Sequence, residues 1–178
     1  MNGAFSDKWF DVAKRCGKDA DALQVPWGSP IRAEDVDKKL ATGQFDALTV
    51  IHNETSTGVM SPIAEIAALK KKYPDVMFIV DCVSSMTAVK VEFDALGIDV
   101  LSCSTQKGLL ALYGMGFLYV RRERAEKIEP AYLSRFGIES DQFGSAMVSN
   151  IGSFEGFGMS FALVFYSMPT FLFALVLL

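Results

Sequence analysis

The 178-residue chain has few cysteines and a single histidine, and these shortages exclude several kinds of site. Its three cysteines, Cys16, Cys82 and Cys103, are an odd number, lie far apart and form no CxxC pair. We therefore expect neither a disulfide framework nor a zinc site, and no other set of metal ligands is indicated. A reducing compartment, the cytoplasm, is the matching prediction for localisation.

The charge balance and the missing motifs narrow the range of ligands. Seventeen basic against twenty-one acidic residues give a formal charge of -4, and no basic stripe is present that could follow a phosphate backbone. Nucleic acid is therefore not an expected partner. No GxGxxG or GxxxxGK[ST] loop indicates a dinucleotide or a nucleoside triphosphate. The N-terminus, MNGAFSDKWFDVAKR, is charged and lacks an apolar run, so we do not expect it to act as a secretory signal.

Charged residues are absent from the end of the chain, residues 156–178, which closes with PTFLFALVLL. About 20 apolar residues can span a bilayer. However, this tail begins with glycines and a serine, contains Pro169 and has no flanking Lys or Arg to orient a span. A membrane span, a buried segment and an aberrant end produced by truncation all stay open as interpretations. Residues 138–155 are expected to form a divergent linker before the tail.

The remaining sequence is typical of one folded domain, since 51% of the chain is hydrophobic and 12% is aromatic. Its hydrophobic periodicity alternates between helical and extended patterns. Ser6 is the expected cap of the first helix, which Gly17 ends, and Pro62 is placed to open the third. Helices are predicted over residues 6–16, 33–40 and 62–72, and strands over residues 23–27, 45–52, 76–80 and 99–104.

Strands separated by helices predict an α/β fold with a mostly parallel sheet flanked by helices. Ligands in such sheets bind at the carboxyl ends of the strands, and Thr55, Asp81 and Lys107 each follow a predicted strand. A carboxylate and a lysine in one crevice could form a plain ion pair. They could also serve pyridoxal phosphate, whose aldehyde forms a Schiff base with a lysine while a carboxylate keeps its ring nitrogen protonated. The residues alone leave both interpretations open.

Three ordered blocks resemble one known family. The block IDVLSCSTQK, residues 98–107, followed after six residues by GMGFL, is similar to the cofactor-attachment signature of class V pyridoxal-phosphate-dependent aminotransferases. The blocks HNETSTGV (52–59) and VDCVSS (80–85) resemble its alanine-glyoxylate and serine-glyoxylate branch. The resemblance spans residues 2–135. It implies that residues 1–137 are part of the pyridoxal-phosphate-binding large domain of the aspartate-aminotransferase-like fold, known as fold type I.

This resemblance implies a transaminase that moves an amino group between a small amino acid, alanine or serine, and a 2-oxo acid such as glyoxylate or pyruvate. Lys107 would carry the Schiff base, and Asp81 would pair with the pyridinium nitrogen. Val83 would pack on the cofactor ring, Thr55 would offer its hydroxyl to the ring edge, and Gln106 would help hold the phosphate end. Plainer roles for these last three are a core residue, a turn cap and a solvated loop residue.

Departures from the family pattern add further expectations. The upstream phosphate-binding loop, the aromatic residue that stacks on the ring and the downstream small domain with its substrate-binding arginine are not matched. We therefore expect an internal fragment of low or no activity, whose full-length parent is a homodimer. A non-catalytic remnant of the fold, with or without membrane association, is the alternative.

A cysteine desulfurase-like lyase is a further alternative. Gln106 argues against it, because that group usually has a histidine before the lysine. Cys82 and Cys103 are expected to be small buried residues rather than reactive thiols, with Cys82 pointing away from Asp81. His52, at the end of an apolar strand, is expected to be structural rather than catalytic.

Overall fold

The computed structural model describes residues 1–129 and four short strands beyond them, so most of the predicted linker and tail lies outside the described residues. Within the described part, no helix is both long and apolar enough to cross a membrane. The helices are α1 (Ala4–Arg15), α2 (Ala33–Leu40), α3 (Ile63–Ala68) and α4 (Phe93–Leu96), with 3₁₀ turns at Leu69–Lys71 and Arg122–Lys127. The strands are β1 (Ala47–Ile51), β2 (Asn53–Glu54), β3 (Val59–Met60), β4 (Met77–Asp81), β5 (Val100–Ser104), β6 (Met115–Val120), β7 (Ile128–Glu129), β8 (Ile138–Ser140), β9 (Ala146–Val148), β10 (Phe165–Tyr166) and β11 (Val176–Leu177).

The main sheet has the strand order β1-β4-β5-β6-β10. Strands β1, β4 and β5 are parallel neighbours, whereas β6 is antiparallel to β5 and β10 is antiparallel to β6. Short two-stranded pairs join β2 with β3, β7 with β11 and β8 with β9. The predicted sheet, mostly parallel at its centre and flanked by helices, is confirmed.

Side chains alternate between the two faces of the sheet and divide the core into two layers. One layer packs Val80, Leu101 and Cys103 against α2 and α3. The other packs Ile79 and Val100 against Trp9 of α1 and the segment after β6. The same alternation places Asp81 on the α1 side and Cys82 in the α2 and α3 layer, as expected.

The first helix begins earlier than the sequence suggested. It starts at Ala4 rather than at Ser6, whose hydroxyl oxygen instead accepts the backbone N–H of Gly3 at 3.1 Å from inside the first turn. Backbone N–H groups of this first turn, which have no partner within the helix, find one in the side chain of Glu54, 48 residues away. A local sequence pattern carries no signal of such a remote cap. The predicted end is correct, because Gly17 adopts a φ of 75° just after the helix.

The predicted strand over residues 23–27 does not form. Within the described part, Val25 N–H donates to the Met1 carbonyl at 3.0 Å, the Met1 amino group donates to Leu23, and the Pro26 carbonyl accepts the Ser29 N–H at 3.0 Å in a local turn. An extended segment becomes a strand only when it pairs along a neighbouring strand, and one partner residue is too little. The apolar pattern of residues 23–27 does occur in an extended segment. However, no strand among the described residues lies beside this segment to pair with it.

Candidate active site

The carboxyl ends of β1, β4 and β5 lie side by side at one edge of the sheet, called here the carboxyl edge. Asp81 is the last residue of β4, Lys107 lies in the turn after β5, and Thr55 lies in the turn between β2 and β3, just after β1. The His52 N–H donates to the Asp81 carbonyl at 2.9 Å, which joins two of these strand ends directly. The predicted meeting of three strand ends is therefore present in the fold.

Asp81 has both carboxylate oxygens engaged. Oδ1 accepts the backbone N–H of Val83 at 2.8 Å, and Oδ2 accepts the indole N–H of Trp9 at 2.7 Å. Burial raises the pKa of Asp81 above its ordinary value, while the N–H donors of Val83 and Trp9 act in the opposite direction. The result is a fixed, enclosed carboxylate whose charge depends on these donors.

Lys107 is exposed, and its ammonium forms no ion pair or hydrogen bond with any of the described residues. The plain ion pair with Asp81, which the sequence left open, is therefore not formed. The amine is instead available at the carboxyl edge. Its turn is closed by backbone hydrogen bonds from Leu110 to Lys107 at 3.0 Å and from Ala111 to Thr105 at 2.9 Å.

Gly108 holds the Lys107 turn against the loop after β4. A Cβ atom at this position would lie 2.0 Å from the Met86 carbonyl oxygen and 2.8 Å from Thr87 Oγ1. The Thr87 hydroxyl also donates to the Gly108 carbonyl at 2.6 Å. Only glycine fits between these two loops, so the position of Lys107 depends on it.

We expect Gly108→Ala to destabilise the chain by about 1 to 3 kcal/mol, because the new methyl group would meet a backbone oxygen that cannot swing away. Urea unfolding followed by circular dichroism measures this change. Leu110→Ala is the control, since this side chain lies in the same turn with 91% exposure and should change stability by less than about 0.5 kcal/mol. Equal stabilities of the two variants would contradict the close approach at Gly108.

The three remaining predicted residues differ in their placement. Val83 is half-buried and contributes its backbone N–H to Asp81. Gln106 is half-buried, and its Oε1 is enclosed without a hydrogen-bond partner among the described residues. Thr55 is exposed, and within the described part its hydroxyl caps no turn. Val83 and Gln106 thus lie next to the two central residues in the chain, while Thr55 lies on a separate turn at the same edge.

Two buried serines extend the polar surface beside Asp81. Ser102 lies opposite Asp81 in the β4–β5 ladder, and Ser104 is two residues further on the same face. Both side chains are buried, and neither hydroxyl has a partner among the described residues. Buried hydroxyl groups are normally hydrogen-bonded. Unsatisfied hydroxyls next to a fixed carboxylate are typical of a surface that meets a polar ligand or water.

The pKa shifts of His52 and of the two buried cysteines follow from their burial. His52 is buried, and burial lowers the pKa of its imidazole, which keeps it neutral. Burial raises the pKa of Cys82 to about 12 and that of Cys103 to about 12. Because the thiolate is the reactive form of cysteine, these two thiols are poor nucleophiles, which agrees with the expectation that they are small buried residues.

Sequence reasoning missed two residues at this edge, Trp9 and Glu54. By its spacing, Trp9 belongs to the apolar stripe of its helix, yet an enclosed indole N–H normally requires an acceptor. Glu54 is fully buried and accepts the N–H groups of Phe5 at 3.1 Å and Ser6 at 2.9 Å and the hydroxyl of Ser56 at 2.6 Å. Burial alone would raise the pKa of Glu54, but these hydrogen bonds together lower it below its ordinary value.

A cavity of about 580 Å³ lies between α1 and the sheet. Asp81 and Trp9 line it together with Ile79, Thr49 and Ser6. Of the five residues predicted for the site, only Asp81 faces this cavity. The cavity therefore reaches Asp81 at the carboxyl edge, whereas Lys107, on the turn after β5, does not line it.

The fold is that of the pyridoxal-phosphate-dependent aminotransferases of fold type I. Residues 3–153 match the family described as "Aminotransferase class-V". The chain therefore belongs to the class-V aminotransferase family, and the predicted resemblance is confirmed. The match extends past residue 135, where the resemblance read from the motifs ended.

Named relatives share this part of the chain. A soluble hydrogenase 42 kDa subunit of Anabaena cylindrica is 31% identical over 156 residues, covering 86% of this chain and 41% of that protein. The L-aspartate–glyoxylate aminotransferase of Paracoccus denitrificans is 33% identical over 139 residues, covering 75% of this chain and 35% of that protein. The crystal structure of an alanine–glyoxylate aminotransferase from Nostoc sp. matches with a TM-score of 0.64 and 30% identity. The match covers 68% of this chain and 32% of the Nostoc protein. The chain thus spans about two fifths or less of the length of these relatives.

Proposed function

We propose that this chain is the cofactor-binding part of a transaminase that uses pyridoxal phosphate. The reaction would move an amino group between a small amino acid, alanine or serine, and a 2-oxo acid such as glyoxylate or pyruvate. The observation that carries the proposal is the placement of an unpaired lysine and a fixed carboxylate on neighbouring strand ends, in a chain of the class-V aminotransferase family. Members of this family depend on pyridoxal phosphate.

The residues at the carboxyl edge fit this cofactor. Asp81 offers a carboxylate of fixed orientation to a protonated ring nitrogen. Lys107 offers an exposed amine that forms no hydrogen bond or ion pair with the described residues. Gln106 Oε1 and the hydroxyls of Ser102 and Ser104 are buried without partners there, so polar groups of a ligand can satisfy them. We assign Val83 to the ring face and Thr55 to the ring edge in the same proposal.

Each residue has a defined task in the transfer. When bound, the cofactor ring accepts electrons from the bond broken at the amino acid Cα. Asp81 holds the proton on the ring nitrogen, because a nearby positive charge favours its ionised form against the effect of burial. Lys107 Nζ would hold the cofactor and would move the proton at the Cα of the amino acid. The amine can do this because no described residue holds it.

The choice of glyoxylate as acceptor is supported by the names of relatives. Both the Paracoccus and the Nostoc proteins are named glyoxylate aminotransferases, while their amino donors differ. We also propose a cytoplasmic homodimer for the complete protein, with residues 1–137 as part of its large domain.

Glycine formation tests this function. The chain is incubated with pyridoxal phosphate, L-alanine or L-serine, and glyoxylate, and glycine is measured against the same mixture with Lys107→Ala. We expect slow glycine formation that requires Lys107, while Lys71→Ala, which removes an exposed lysine near the start of β4, leaves it unchanged. Equal rates with and without Lys107 would show transfer by free cofactor and contradict the proposal. Bound cofactor without any glycine would favour the non-catalytic remnant.

A further inference from the structure

The side chain of Trp9 reaches Asp81 from a part of the chain 72 residues away. Its indole N–H donates to Oδ2 at 2.7 Å, while the Val83 N–H donates to Oδ1 at 2.8 Å. One donor on each oxygen fixes the plane of the carboxylate. A carboxylate oxygen has two acceptor positions, so each oxygen can still accept one further hydrogen bond.

Helix α1, which carries Trp9, is itself fixed at its first turn. The buried Glu54 carboxylate accepts the N–H groups of Phe5 and Ser6, and Ser56 Oγ accepts the N–H of Ala4 at 2.9 Å. Packing is tight here, because a Cβ atom on Gly3 would lie 2.5 Å from Glu54 Cγ. Since Trp9 follows Phe5 by one helical turn, this attachment sets where the indole lies.

The charged surroundings make the indole contact important for Asp81. Burial favours the neutral carboxyl, and the Glu54 carboxylate acts in the same direction. The Cys82 and Cys103 thiols carry no charge near neutral pH, since burial raises the pKa of each to about 12. In the described part, Val83 and Trp9 are the donors that favour the ionised form. Removing the indole leaves a single backbone donor.

We propose that Trp9 is a positioning residue, which holds the Asp81 carboxylate oriented so that its free acceptor position can take a ring N–H at the carboxyl edge. This inference rests on the proposed function, because it assigns Asp81 to the cofactor ring. A protonated Asp81 would present a hydroxyl donor where an acceptor is needed. Trp9 therefore acts on the cofactor through Asp81.

The chain provides a matched pair for the test, because it has two tryptophans, and the second, Trp27, is 62% exposed. In ¹⁵N-labelled chain without cofactor, Trp9→Phe assigns the two indole N–H signals. We expect the Trp9 signal to move with pH as Asp81 titrates and to lose this movement in Asp81→Asn. The Trp27 signal should not follow Asp81. A Trp9 signal with no pH dependence, or one that Asp81→Asn leaves unchanged, would overturn the proposal.

The affinity for pyridoxal phosphate is the second measurement that tests the positioning role of Trp9. We expect Trp9→Phe to weaken the affinity for pyridoxal phosphate by about tenfold, the effect of one hydrogen bond to a charged group, while Trp27→Phe leaves it unchanged. Equal affinities of the two variants would overturn the positioning role and leave the proposed function intact. If the unsubstituted chain does not attach the cofactor at Lys107, the proposed function fails instead. If Trp9→Phe does not fold, the pH dependence of the Trp9 indole signal, compared between the unsubstituted chain and Asp81→Asn, still tests the contact between Trp9 and Asp81.

Discussion

Lys107→Ala is expected to abolish covalent retention of pyridoxal phosphate by the chain. The lysine lies in the turn after β5, its amine contacts no described residue, and Gly108 holds the turn against the loop after β4. Alanine has no group that could form the Schiff base. After incubation with the cofactor and removal of free ligand by gel filtration, absorbance of visible light measures what is retained.

The control for this loss is Lys71→Ala, which removes an exposed lysine in the turn before β4, at the opposite end of that strand from the carboxyl edge. It should retain as much cofactor as the unsubstituted chain. Thermal unfolding of both variants should match that of the unsubstituted chain within a few degrees, because both lysines are exposed and neither side chain forms a hydrogen bond or ion pair with the described residues. Retention by Lys107→Ala at the level of Lys71→Ala would place the attachment at another lysine.

Asp99→Ala is expected to lower the free energy of unfolding by about 3 to 5 kcal/mol, the effect of breaking a buried ion pair from one side. Asp99 is buried at the start of the β5 segment, with only 1% of its side chain exposed. It pairs with Lys70, accepts Arg124 Nε–H at 3.1 Å and accepts the Phe78 N–H at 2.8 Å. Without it, two largely buried cations and a backbone N–H lose their shared acceptor. Urea unfolding at neutral pH measures the change.

Asp94→Ala is the matched control, because Asp94 also pairs with an arginine, Arg121, but is 85% exposed. Exposed ion pairs contribute about 0 to 1 kcal/mol, so this variant should remain close to the unsubstituted chain. A destabilisation of Asp99→Ala no larger than that of Asp94→Ala would contradict the structural role of the Asp99 cluster. The cluster lies at the amino ends of the strands, opposite Lys107, so it supports the fold and not the chemistry.

Local patterns predicted the parts of the fold that depend on local properties. The bounds of α2 were predicted as they occur, and the apolar runs before Asp81 and Ser104 became the central strands β4 and β5. Parallel strands separated by helices then placed the residues after them at one edge. This reasoning was sufficient to bring Asp81 and Lys107 to the same end of the sheet.

Features that depend on residues far apart in sequence were missed. Glu54 caps α1 across 48 residues, and Trp9 reaches Asp81 across 72. Residues 23–27 were extended and apolar, yet without a partner strand they form none. The buried Asp99 cluster joins three separate segments in the same way. Each of these contacts is set by tertiary packing, which hydrophobic periodicity does not encode.

The central claim is that Lys107 is the attachment point of pyridoxal phosphate, and peptide mapping tests it most directly. The unsubstituted chain is incubated with the cofactor, reduced with borohydride to make the link permanent, digested and examined by mass spectrometry. We predict about one label per chain, on the peptide that contains Lys107, and loss of this label when the chain is first unfolded in urea. Labels spread over the exposed lysines, with no preference for Lys107 in the folded chain, would contradict the account.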